Sequence, residues 1–172
     1  MIMAKKSDFN TSRSVKDLQA EYGKMPPQAV DLEEAVLGAI IETPGFLNNY
    51  SGYNNLKFLA GINKKIGREQ IREAILFVGL DPDSKKHVGR YSLGMRQRLG
   101  LAQAIMENPD ILLLDEPMNG LDKHGVKEMR ELFKSLAQQG KTIIMANHSA
   151  EDIDVLCDTV CEMDLGVLTR VK

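Results

Sequence analysis

The chain has 172 residues, enough for one domain with a real core. Lys and Arg number 22 against 24 Asp and Glu, so no global field argues for nucleic acid or for an acidic substrate. No apolar run approaches the roughly 20 residues of a membrane span, and the opening MIMAKKSDFN lacks the apolar centre of a signal peptide, so a soluble, cytoplasmic chain is expected. Charge is unevenly spread. Residues 61–100 hold nine Lys/Arg and four Asp/Glu, whereas residues 101–172 hold seven and thirteen, a pattern of ordinary solvated faces rather than a binding patch.

Residues 1–24 are polar with weak periodicity and read as a flexible tail. In residues 25–38 two prolines pre-set a helix start, and Ala29, Leu32 and Val36, with Ile40 just beyond, fall on one helical stripe. The string PPQAVDLEEAVLGA resembles the opening of the N-terminal domain of bacterial replicative DNA helicases, over about sixteen residues only. Gly38 to Phe46 instead resembles the Q-loop entry of ABC proteins related to peptide-antibiotic exporters. That resemblance gives Glu42 the position facing Mg²⁺ and the membrane partner. The two likenesses meet at Gly38-Ala39-Ile40, which suggests a join between two coding sequences. They also conflict: one wants helix through residue 38, the other wants residues 37–42 as a strand. The helix is expected to stop near Leu37.

Tyr50 to Gly89 reads as a helical region. Gly52–Ala60 forms a short helix, and Arg68–Gly79 a clearer one with Ile71, Ala74, Ile75 and Val78 on one stripe. Asp81-Pro82-Asp83 marks a turn. The sequence leaves open whether this region faces a transporter or only packs.

A helix opens at Ser92 and stops before Asn108-Pro109. Ile111–Leu114 reads as a short, fully buried strand ending in the paired carboxylates Asp115 and Glu116. Asp122 caps an amphipathic helix that ends at Gln139-Gly140. Thr142–Ala146 is a second buried strand, followed by Asn147-His148 and the capping pair Ser149-x-x-Asp152. Thr159–Met163 and Val167–Val171 form a closing hairpin around Asp164-Leu165-Gly166. Cys157 and Cys161 read as small buried residues rather than a metal or redox pair, and His87 and His124 as structural.

Two adjacent acids at the carboxyl end of a parallel strand have a division of labour: one can hold a hard cation, the other can orient a water. The run YSLGMRQRLGLAQAIMENPDILLLDEPMNGLD resembles the core of an ABC-transporter ATP-binding subunit. It holds a variant signature motif at Tyr91-Ser92-Leu93-Gly94-Met95, the acidic strand motif and a D-loop ending at Asp122. The resemblance implies that Ser92 and the Gly94 amide meet the γ-phosphate of ATP bound to a partner subunit. It gives Asp115 to Mg²⁺, Glu116 to the attacking water, Asp122 to the dimer contact and His148 to the γ-phosphate. The plain alternative is a buried strand ending in a solvated turn.

No G-x-x-x-x-G-K-[ST] occurs. Gly89 and Gly94 are followed by Met95, and Gly120 and Gly125 by Val126, so both glycine pairs lack the lysine that cradles phosphates. The expected fold is α/β, a truncated P-loop NTPase core of ABC type without its P-loop strand and helix. Residues 39–172 would form it, with a helical subdomain over about 50–106 and a partial catalytic core over about 107–172. The missing strand is expected to leave the sheet open beside Ile111–Leu114. Implied partners are a second ATP-binding subunit and a membrane-spanning subunit at the inner face of the membrane. Two alternatives stand: a non-enzymatic module contacting replication proteins through the helicase-like segment, or a recombined product without selected function.

Overall fold

A computed structural model describes residues 2–5, 37–40, 45–63 and 66–172. Six strands form one sheet in the order β2-β3-β4-β1-β5-β6. They are β1 (Ile2–Lys5), β2 (Leu37–Ile40), β3 (Ile111–Asp115), β4 (Thr142–Ala146), β5 (Thr159–Asp164) and β6 (Val167–Arg170). β2, β3 and β4 run parallel, with Leu37 opposite Ile111 and Asp115 opposite Ala146. β1 is antiparallel to both β4 and β5, and β5 and β6 close the sheet as a hairpin.

Three expectations change here. β3 is not an open edge, because β2 and β4 pair with it on both sides. Ile2–Lys5 is strand rather than tail: its backbone supplies the partners that β4 and β5 would otherwise lack. Leu37 and Gly38 belong to β2 rather than to a helix reaching residue 38, since four pairings with β3 outweigh the helical stripe. The rest of the tail, the helicase-like residues 25–36 and Glu42 lie outside the described residues.

Five helices flank the sheet among the described residues: α1 (Gly52–Asn63), α2 (Arg68–Phe77), α3 (Leu93–Ile105), α4 (Lys123–Gln138) and α5 (Ala150–Leu156). α3 is central and buried nearly all round, with Gln97, Leu99, Gly100, Leu101, Ala102 and Ala104 inside. It ends before Asn108, whose φ of +53 turns the chain into Pro109. α4 buries Met129, Phe133 and Leu136, spaced by four and three residues along one stripe. Gly140, at φ +87, stops it; the Gly140 amide reaches Ala137 O at 3.0 Å and the Lys141 amide Leu136 O at 3.2 Å.

The core lies on the sheet face carrying Leu112, Leu114, Ile143 and Met145, packed with Leu99, Leu101, Met129 and Phe133. Leu99, Leu101 and Leu112 have no exposed surface, so each contributes about 1.5–3 kcal/mol over an exposed leucine. β3 is not buried on both faces as the apolar run suggested: Leu113, on the opposite face, is 36% exposed. The cysteines are half-buried and not joined in a disulfide. α1 and α2 join the same core through Leu56, Ala60, Ile71, Ala74, Ile75 and Val78, yet leave Phe58, Ile62 and Leu76 exposed. Buried Asn55 ties the loop before α1 down: its side chain accepts the Leu47 amide at 2.7 Å and donates to Leu47 O at 3.2 Å.

Candidate nucleotide-facing site

Two parallel strands, β3 and β4, end side by side, and the residues just after them carry the acids and the histidine. Asp115 closes β3 with an exposed side chain. Glu116 follows at φ +44, a left-handed conformation costing a non-glycine residue about 1–2 kcal/mol. Its amide is held by Ala146 O at 3.0 Å, and its own carbonyl accepts the Asn119 amide at 3.0 Å. Strain held in this way is typical of positions whose side chain must be aimed. The Glu116 carboxylate accepts from His148 Nδ1 at 2.8 Å. A carboxylate can only accept, so Nδ1 carries a proton. The hydrogen bond, and next the charge of Glu116, raise the His148 pKa above the ordinary imidazole value. His148 remains largely open to solvent, its side chain 79% exposed.

The second group lies around a cavity of about 600 Å³. Ser92 caps α3, its hydroxyl accepting the Met95 amide at 3.2 Å. Asp122 caps α4, its carboxylate accepting the Gly125 amide at 2.7 Å. Both caps, with Leu93, Gly94, Met95 and Gly120, line the cavity. Leu93 and Gly120 are in contact: a Cβ on Gly120, whose φ is +72, would come within 2.8 Å of the Leu93 side chain. The first turn of any α-helix has amides without intrahelical acceptors. Ser92 takes the Met95 amide, and those of Leu93 and Gly94 keep no intrahelical acceptor. Asp81 and Glu128 also border the cavity, with Glu128 paired to Arg98. Ser92 and Asp122 thus meet at one cavity, Glu116 and His148 meet at the strand ends, and Asp115, Glu116 and His148 do not line that cavity.

Among the described residues no group of three or more His, Cys, Asp or Glu is placed to hold a metal ion. A Mg²⁺ ion tolerates this poverty, because it commonly takes one or two carboxylates and completes its shell with phosphate and water. Exposed Asp115 fits that part as an oxygen donor.

His124 borders the cavity and sits 3.5 Å from Glu128 on a mostly exposed side chain. The pair Ser149 and Asp152 caps α5 in only one direction. Ser149 Oγ accepts the Asp152 amide at 3.3 Å, but the Asp152 carboxylate turns to Arg130 and Asn147. Sequence reading missed Arg130 and Asn147. Their only signal is polarity: Arg130 stands on α4 one residue after buried Met129, and Asn147 directly follows a core strand.

Comparison with known proteins gives the class. The family model described as ABC transporter matches residues 10–119, a stretch that includes Ser92–Met95, Asp115 and Glu116 and stops before Asp122 and His148. The chain belongs to the ABC transporter family. It is 42% identical over 135 residues to the bacitracin transport ATP-binding protein BcrA of Enterococcus faecalis, covering 78% of this chain and 44% of that protein. It is 46% identical over 134 residues to the uncharacterized ABC transporter ATP-binding protein YdbJ of Bacillus subtilis, covering 77% of this chain and 43% of that protein. The lantibiotic transport ATP-binding protein SrtF of Streptococcus pyogenes is 37% identical over 124 residues, covering 72% of this chain and 54% of that protein. The chain therefore spans about half the length of the curated relatives it matches. These relatives do not favour a replication-protein module. Among the described residues no helix is long and apolar enough to cross a membrane.

Proposed function

We propose that this chain is part of the ATP-binding subunit of an ABC transporter and supplies the half of a nucleotide site that acts on ATP held by a second subunit. The observation that carries this reading is the cavity at the helix N-termini, with a second feature at the strand ends, outside it. Ser92, Gly94 and Asp122 border an open cavity at two helix N-termini, and Glu116 is aimed by a hydrogen bond to His148. No phosphate-cradling G-x-x-x-x-G-K-[ST] accompanies them within the 172 residues.

On this reading the Ser92 hydroxyl and the Leu93 and Gly94 amides bind the partner's γ-phosphate, where donors to an anion are strongest. Met95 packs behind that turn. Asp122 holds the start of α4 at the dimer contact. At the strand ends Asp115 would hold Mg²⁺, which would neutralise phosphate charge. Glu116 orients the attacking water and accepts its proton, while His148 keeps the Glu116 carboxylate aimed and reaches toward the γ-phosphate. Glu42 takes the place facing Mg²⁺ and the membrane subunit. The exposed apolar side chains Phe58, Ile62 and Leu76 suit that membrane-spanning partner, and bring the chain to the inner membrane face. The names of the relatives point to peptide antibiotics as the transported class.

Without lysine and the amide cradle, a triphosphate loses several charge-assisted hydrogen bonds worth about 1.5–3 kcal/mol each. ATP binding by the isolated chain, measured calorimetrically with and without Mg²⁺ beside Asp115→Asn, tests this. Binding weaker than the micromolar range is expected. Saturable micromolar affinity, lost on Asp115→Asn, would show that the chain grips its own nucleotide and would overturn the division of labour.

A further inference from the structure

His148 stands on a three-residue loop whose two neighbours are both tied to Asp152, Asn147 through the carboxylate and Ser149 through the backbone amide. The Asn147 side-chain oxygen Oδ1 accepts the Ser149 amide at 2.8 Å, so the residues flanking His148 clasp each other across it. The Asn147 amide group in turn donates to Asp152 Oδ2 at 3.3 Å. The other Asp152 oxygen, Oδ1, accepts from Arg130 Nε at 2.8 Å and from Arg130 Nη2. A third Arg130 nitrogen, Nη1, donates to Glu151 at 2.9 Å. Asn147 is 4% and Asp152 6% exposed, so the carboxylate is enclosed and its orientation over-determined. Arg130 lies eight residues along α4 from its cap Asp122, about 12 Å at 1.5 Å per residue.

We infer that Arg130 and Asp152 are positioning residues that act through Asn147 to hold His148 against Glu116, so that α4 links the Asp122 cap at the cavity to the histidine at the strand ends. The chain of contacts is continuous from Arg130 to the two residues that bracket His148. Its chemistry explains why an arginine, with a planar fork, faces a carboxylate that already serves a second partner. The functional weight of this arrangement rests on the reading of Glu116 and His148 given above, but the geometry does not.

The test uses the full chain labelled with ¹⁵N-histidine and reads the tautomer of neutral His148 at alkaline pH. A carboxylate acceptor at Nδ1 selects the Nδ1–H form, whereas a released, exposed imidazole reverts to the Nε2–H form favoured in water. Arg130→Gln is expected to lower the ratio of Nδ1–H to Nε2–H about fivefold, the worth of one hydrogen bond. Arg130→Lys should restore part of it. Asn147→Ala, which leaves Asp152 paired with Arg130, should lower it equally and serves if Arg130→Gln does not fold. Leu132→Ala on the same helix, a change to packing alone, should leave the ratio untouched. An unchanged ratio in folded Arg130→Gln or Asn147→Ala overturns the inference, as does an equal fall in Leu132→Ala. No nucleotide enters this measurement, so it can fail or succeed independently of the ATP reading.

Discussion

Ser92 separates folding from function most cleanly, because one atom is asked to do both. Its hydroxyl accepts the Met95 amide at 3.2 Å and so caps a 13-residue helix from an exposed position. Replacing such a cap by alanine costs typically about 1 kcal/mol. At this chain length that corresponds to roughly 2–4 °C in the unfolding midpoint. Ser92→Asp keeps an oxygen acceptor and adds a negative charge at the helix N-terminus, worth about 0.3–1 kcal/mol in favour of folding. The same charge would repel a γ-phosphate arriving at the Leu93 and Gly94 amides. Thermal unfolding of the three proteins should therefore rank Asp at or above Ser, and both above Ala. Rescue of ATP hydrolysis in a partner subunit with a disabled signature should rank Ser first and Asp last. An aspartate variant that rescues as well as the parent would refute the assignment of this rim to phosphate. A loss above about 3 kcal/mol in Ser92→Ala would refute the view of Ser92 as a simple exposed cap.

Gly120→Ala should destabilise by the roughly 1–2 kcal/mol cost of a left-handed alanine, because the Leu93 methyl that its Cβ would meet at 2.8 Å ends an exposed side chain that can turn aside; urea unfolding measures this, and ¹⁵N shifts at Leu93 and Gly94 should move with it. His148 should titrate above the ordinary histidine value, and Glu116→Gln should bring it back, as read by NMR. Because the folded-state pKa is the raised one, the stabilising effect of this contact is fully present below about pH 6.5 and fades as pH rises through the His148 pKa. The urea midpoint of the parent should then fall more than that of Glu116→Gln between pH 5.5 and 8.5; parallel falls would contradict the pairing.

Much of this architecture was legible because local signals agreed. The stripe in Arg68–Val78, the oxygen caps Ser92 and Asp122, the Asn108-Pro109 break and Gly140 each mark an element boundary that the chain obeys. Ser92 is legible as a helix opening, Asp122 as a cap, and Glu116 and His148 as residues following buried strands, whose adjacency only the sheet reveals. What escaped was non-local. Ile2–Lys5 is too short to announce itself, and it is strand only because β4 and β5 flank it. Leu113 repeats its neighbours in sequence, yet faces away from the core. The contact of Arg130 with Asp152 spans 22 residues, and no periodicity reports a partner at that distance.

The division of the nucleotide site between two chains is tested most directly by ATP hydrolysis in a mixing experiment. The purified chain alone is predicted to release no phosphate. Added to a full-length ABC subunit whose own signature is disabled, it should restore magnesium-dependent hydrolysis, and Ser92→Asp should not. Turnover by the chain on its own, or no rescue by a folded chain at saturating concentration, would contradict the account.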